Sequence, residues 1–173
     1  MKKSLLLLAL PIFFWNCSSK PESATTETPI AEAQAAPAPE GPALPVFNLT
    51  DLNGTPFSTA TMPDDMIIIF FNPGCDHCQR EATAIHGRKK DFEDKQVYFV
   101  SVDSLSTISK FRKEYDLTDP NFHFAAGDVE TIVTAMGPVP SVPCIYIYRD
   151  RKLVSRLEGE AEIDEILKLA EGK

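Results

Sequence analysis

The 173-residue chain has no apolar run long enough to cross a bilayer: Leu5 to Trp15 spans eleven residues and is interrupted by Pro11, against about 20 for a spanning helix. Histidine is scarce at three residues, and no second closely spaced Cys/His pair accompanies Cys75 and Cys78. A structural zinc site needs four ligands, so sequence-local ligands do not complete one. Positive charge is also in deficit, with 17 Lys and Arg against 25 Asp and Glu and a formal charge of −8. An acidic surface repels phosphate backbones and anionic headgroups, which excludes nucleic acid as a partner class. There is no internal repeat.

What is present begins with Met1-Lys2-Lys3 ahead of the short apolar run, the charged start and greasy middle of a secretory signal. Cys17-Ser18-Ser19-Lys20 follows at once and is similar to a bacterial lipoprotein signal, although Phe14-Trp15-Asn16 departs from the usual lipobox. Two readings stand: Cys17 is acylated and anchors the chain to a membrane, or the signal is cleaved elsewhere and Cys17 is incidental. Both place the mature protein outside the cytoplasm, at a periplasmic or cell-envelope face. Loss of residues 1–16 removes Lys2 and Lys3, leaving 15 basic and 25 acidic residues and a charge of −10.

Residues 17–43 are rich in Ala, Pro, Glu and Thr and show no apolar period, so they are expected to form a flexible tether. From Leu44 the composition turns globular, and residues 44–173 are expected to form one α/β domain. Phe47 to Leu52 alternates like a strand before the hairpin signal Asn53-Gly54. Met66 to Phe71 is an unbroken apolar run of the kind buried on both faces of a sheet. A helix from Cys75 to Lys90, a strand from Val97 to Val102 and a helix bearing Leu105, Ile108, Phe111 and Tyr115 follow. A short strand over Phe122 to Ala125 and a helix capped by Asp128 come next, then strands Ile145 to Tyr148 and Leu153 to Leu157 and a closing helix. The order β-α-β-α-β-β-α belongs to an α/β sandwich around a mixed sheet.

The cysteines carry the chemistry. With Cys17 set aside, three thiols remain, an odd number that does not suggest a structural disulfide framework. Cys75 and Cys78, separated by two residues, suggest a redox pair or half a metal site. Directly after a buried strand and a Pro73-Gly74 turn, Cys75 falls at a helix start, where unpaired N–H groups favour a thiolate nucleophile. Cys78, one turn on, is placed to resolve. His77 between them would stabilise the Cys75 thiolate as an imidazolium, Asp76 would oppose it, and the alternative for His77 is an exposed helix residue without a role. A c-type haem would need His after the second cysteine, where Gln79 stands. Convergence of Cys75, Cys78, Cys144 and a histidine on a metal stays open.

Leu44 to Gly54, Ile67 to Cys78 and Val142-Pro143 ahead of a strand together resemble the TlpA/ResA-like branch of the thioredoxin superfamily, redoxins related to AhpC/TSA proteins. The resemblance implies a thioredoxin fold with an N-terminal β extension, nucleophilic attack by Cys75, and resolution by Cys78. It also implies a cis Val142–Pro143 bond, with Pro143 beside the disulfide and the Val142 backbone pairing with substrate. Glu81 matches the carboxylate that serves proton transfer in ResA-like proteins; the plain alternative is an exposed helix residue. No cofactor beyond the Cys75–Cys78 disulfide is implied, and no metal. Three positions depart from thioredoxin itself: Gly74 replaces a Trp, Ile69 a buried Asp and Thr83 a helix proline. Cys144, next to Pro143, is expected near the pair as a third thiol, unless it is simply a small buried strand residue. His86 and His123 are read as surface or core residues.

These features point to disulfide exchange with envelope protein thiols and an unidentified redox donor or acceptor. A non-catalytic copper or zinc carrier of the same fold and a peroxide-reducing redoxin are the alternatives. Against the first stands the two-residue spacing, and against the second the absence of a Pro-x-x-x-Thr/Ser-x-x-Cys loop around Cys75.

Overall fold

The run Met66–Phe70 is apolar on both faces, and in the computed structural model, which describes residues 40–172, it forms the sheet strand β3 with every residue buried. A strand buried on both sides needs neighbours at both edges and cover on both faces. Before it come β1 (Asn48–Asp51) and β2 (Pro56–Ser58); after it come α1 (Asp76–Gly87), β4 (Val97–Ser101), α2 (Leu105–Glu114), β5 (Phe122–Ala126), α3 (Val129–Met136), β6 (Cys144–Arg149), β7 (Lys152–Glu158) and α4 (Ile163–Glu171). Seven strands form one mixed sheet in the order β2-β1-β5-β4-β3-β6-β7. β3 runs parallel to β4 and antiparallel to β6, and β6 turns into antiparallel β7.

Successive side chains of a strand point to opposite faces, and this parity divides the core into two layers. Ile67, Ile69 and Phe71 pack with Cys78, Ala82 and Ile85 of α1, Ile108 of α2 and Ile166 of α4. Met66, Ile68 and Phe70 pack on the other face with Leu44, Phe47, Ile132 of α3 and Tyr146. The thioredoxin fold with an N-terminal β extension, read from the sequence, is therefore the one observed. β1 and β2 form the extension, joined to the sheet through antiparallel pairing of β1 with β5. Pro42 accepts a hydrogen bond from the Leu153 N–H at 2.9 Å, so the chain already lies against β7 two residues before Leu44. The 1–16 signal segment, Cys17 and positions 17–39 of the tether lie outside the described residues.

The helix expected from Cys75 to Lys90 ends at Gly87. Arg88 leaves helical geometry at φ −122° and ψ 19°, and a short 3₁₀ turn over Lys89–Phe92 carries Phe92 into the core. The apolar periodicity spans both pieces, which is why they read as one helix.

Ile68 is fully buried at the centre of the sheet, so Ile68→Ala removes three carbons from a site with little room to collapse. The expected loss is about 2–5 kcal/mol of unfolding free energy, measured by urea denaturation with an unchanged m-value.

Candidate active site

β3 ends at Phe70, and the chain must turn sharply to send α1 back along the sheet. Asn72 makes that turn: its Oδ1 accepts from the Gly74 N–H at 2.7 Å, and its carbonyl accepts from the Cys75 N–H at 3.0 Å. Cys75 caps α1 in an extended conformation with no side-chain capping bond, leaving its sulfur at the helix N-terminus. There the first N–H groups of α1 have no partner within the helix. Its S–H donates to the Val142 carbonyl at 3.6 Å, and its side chain is only half-buried.

Cys78 lies one turn deeper, 2% exposed, with the Asn72 N–H donating to its sulfur at 3.5 Å. Burial pushes its thiol up to about 12, against the backbone N–H of Asn72, with Cys75 and Glu81 adding to the rise. One thiol is thus accessible and the other sequestered, both free. Steric access differs between the two thiols.

Glu81 shares the buried face of α1 with Cys78 and is 2% exposed. Its Oε2 accepts from the Ala161 N–H at 2.9 Å, and its Oε1 has no partner among the described residues. Burial raises its carboxyl to about 7, with Glu160 and Glu162 adding repulsion and the Ala161 bond pulling the other way. A buried carboxyl that titrates near neutrality behind a thiol is suited to holding or releasing a proton there.

His77 points elsewhere. Its Nδ1 donates to Glu160 Oε1 at 2.5 Å, and Arg80 donates to the same carboxylate through Nε at 3.0 Å and Nη2 at 2.6 Å. Arg80 Nη2 also lies 2.8 Å from His77 Nδ1, but a nitrogen donating its proton to a carboxylate has no lone pair for Arg80. Arg80, and then His77, hold the Glu160 carboxyl down at about 2. The cluster ties the first turn of α1 to the segment carrying Ala161. The His77 ring, which the sequence places between the two cysteines, is engaged with Glu160.

The Val142–Pro143 bond is cis, with Pro143 buried and its carbonyl accepting from the Gly159 N–H at 2.8 Å. Cys144 does not join the site. It pairs with Phe70 in the sheet and belongs to the layer of Met66, Ile68 and Tyr146, on the face opposite Cys78. Of the two readings of Cys144, the small buried strand residue is the one observed, and strand parity turns its side chain away from the pair to the other face. Among the described residues no group of three or more His, Cys, Asp or Glu side chains is arranged to hold a metal ion. His86 faces Asp116 at the surface, and His123 bonds Gln96 and stacks on Tyr98.

Asn72, Arg80, Glu160 and Ala161 were not singled out from the sequence. Asn before Pro-Gly is a turn signal that marks Asn72 in hindsight. Nothing local marks Glu160 or Ala161, which lie some 80 positions from their partners.

Comparison with known proteins agrees with this geometry. The model of the AhpC/TSA family matches residues 41–155. A solved secreted disulfide oxidoreductase from Mycobacterium tuberculosis is similar at 19% identity and TM-score 0.62, covering 73% of this chain and 96% of its own. A thio-disulfide isomerase from Thermus thermophilus is similar at 25% identity and TM-score 0.59, covering 73% and 90%. A peroxidoxin from Mycobacterium tuberculosis is similar at 17% identity and TM-score 0.61, covering 77% and 96%. No curated protein matches the chain.

Proposed function

The chain belongs to the AhpC/TSA family and is an oxidoreductase of thiols, and from that premise we propose that it reduces disulfides of envelope proteins through Cys75 and Cys78. The carrying observation is the pairing of a half-exposed sulfur at a helix N-terminus with a buried thiol one turn behind it. The Cys75 thiolate attacks a substrate sulfur, an S–S bond forms between protein and substrate, and the substrate's second sulfur leaves as a thiolate. Cys78 gives up its proton and attacks Cys75, which closes the Cys75–Cys78 disulfide and releases the substrate sulfur that Cys75 had attacked. Two electrons pass to the substrate, whose thiolates take up protons. Glu81 is the acceptor for the Cys78 proton, and the Val142 backbone, beside Pro143, is where an extended substrate segment pairs.

The reducing direction rests on the resemblance to ResA-like proteins. Equilibration against defined glutathione ratios is expected to give a potential below about −220 mV; a value near −120 mV, typical of strong oxidants, would reverse the direction. The disulfide itself is the only redox group in this reading, and an unidentified envelope donor recharges it.

Export through residues 1–16, acylation of Cys17, a tether over 17–43 and a catalytic domain over 44–173 complete the proposal, supported by the signal-like N-terminus. No helix of the described residues is long and apolar enough to cross a membrane. Mass spectrometry of the mature N-terminus tests this part: a diacylglyceryl Cys17 is expected, and an unmodified chain cleaved elsewhere would contradict it. A peroxidoxin is among the similar solved structures, and Cys75-dependent peroxide consumption without disulfide exchange would favour a peroxide-reducing role instead.

A further inference from the structure

The chain leaves β7 at Glu158 and enters α4 at Ile163, and the short segment between them touches both the cis-proline loop and α1. Gly159 turns the chain at φ +87°, a conformation that L side chains disfavour, and its N–H donates to the Pro143 carbonyl at 2.8 Å. Two residues on, the Ala161 N–H donates to Glu81 Oε2 at 2.9 Å, on the buried side of α1. Glu160 lies between these bonds and turns to the exposed side of the same helix. There Arg80 donates to both of its oxygens, through Nη2 to Oε1 at 2.6 Å and Nε to Oε2 at 3.1 Å, and His77 donates to Oε1 at 2.5 Å. Residues 159–161 therefore straddle α1.

Isolated exposed ion pairs contribute little, because both side chains stay free to move. A carboxylate held at two points by a guanidinium and at a third by a ring nitrogen has one geometry. His77 and Arg80, three residues apart on α1, present a single face to it. Arg80, and then His77, keep the Glu160 carboxyl at about 2, so Glu160 stays charged throughout the range in which Glu81 titrates and supplies no step near neutrality itself.

Glu81 is the group held beneath this clasp. It is 2% exposed, its Oε1 has no partner among the described residues, and the bond from Ala161 orients its other oxygen. The titratable groups that face it are Cys78 on its own helix and Glu160 and Glu162 on the segment leading into α4.

We propose that Glu160 is a positioning residue for disulfide exchange: by clasping Arg80 and His77 it holds residues 159–161 over Glu81, so that the Ala161 N–H aims the carboxyl and water is kept from it. The proposal rests on the exchange reading, in which the Cys78 proton passes to Glu81 while the Cys78 sulfur bonds to Cys75 and the bond between Cys75 and the substrate sulfur breaks. Reduced protein is mixed with bis(2-hydroxyethyl) disulfide and quenched with acid at intervals, across pH. Mass spectrometry separates the mixed disulfide from the closed Cys75–Cys78 form, so attack and resolution are read separately.

In the unaltered protein the resolution rate is expected to rise through a step at about pH 7. In Glu160→Gln the step is expected about one pH unit lower, because a loosened segment admits water to Glu81 and one negative neighbour is gone. Above the step, resolution is expected to slow about tenfold relative to attack. Arg80→Met separates position from charge. It opens the clasp but leaves Glu160 negative, so positioning again lowers the step, whereas charge acting through space alone would raise it. A raised step in Arg80→Met, or an unmoved step in both variants, overturns the proposal. Carbon-13 NMR of the side-chain carboxyls, with the Glu81 signal assigned by its loss in Glu81→Gln, gives the same reading without exchange. If the unaltered protein closes no Cys75–Cys78 disulfide yet the Glu81 midpoint falls in both variants, the exchange reading is sunk and Glu160 keeps its positioning role. An unmoved Glu81 midpoint sinks that role whether or not exchange occurs.

Discussion

Cys75→Ser is expected to abolish disulfide exchange, lowering the rate by at least about 10³-fold, while the fold stays intact. The serine hydroxyl occupies nearly the same half-exposed cap position but is not ionised at neutral pH, and it cannot form a disulfide. Cys78→Ser has a different signature. Cys75 still attacks, but no second sulfur stands behind it, so the mixed disulfide accumulates and is visible by mass spectrometry. If the two variants behaved alike, the division of labour drawn from burial would be wrong. Cys144→Ser, on the opposite face of the sheet, tests position: exchange is expected to survive, with stability reduced by placing a hydroxyl in an apolar layer.

Glu81→Gln is expected to change both stability and the pH profile, in directions fixed by linkage. The folded carboxyl titrates near 7 and the unfolded one near 4.5, with burial the main cause. Between those values the native state keeps a proton that the unfolded chain has lost, so native stability falls as pH rises. Gln keeps the oxygen that accepts from Ala161 and carries no charge, so the variant escapes that fall. The two proteins are expected to be about equally stable below pH 4.5. The variant then gains progressively and is more stable by on the order of 3 kcal/mol above pH 7, measured by urea unfolding across pH. Activity moves the other way. Without an acceptor for the Cys78 proton, resolution of the mixed disulfide slows by about 10²-fold, and the step in rate near pH 7 disappears. A variant that kept the pH 7 step would assign that titration to another group.

Much of this was legible because the local signals are strong. Five consecutive apolar, mostly β-branched residues from Met66 leave little choice but a central strand, and a Pro-Gly turn after it puts Cys75 at a helix start. The spacing of Leu105, Ile108, Phe111 and Tyr115 announces α2 in the same way. What escaped was non-local or ambiguous in parity. In Cys144-Ile145-Tyr146-Ile147-Tyr148 every residue is apolar, so nothing in composition says which set faces α1; pairing with β3 decides it and sends Cys144 to the far side. His77 reads as a partner for Cys75 only while Glu160 is out of view. The groups that buffer Glu81 arrive with the turn into α4, a contact that no periodicity in α1 foretells.

The most direct test is a thiol titration of the purified protein across glutathione ratios, with alkylation and peptide mapping of each cysteine. The structure predicts one reversible two-electron couple in which Cys75 and Cys78 lose alkylation together, Cys144 stays reduced throughout, and Cys75→Ser erases the transition. Cys75 and Cys78 that never join in a disulfide, or a disulfide drawing in Cys144, would contradict it.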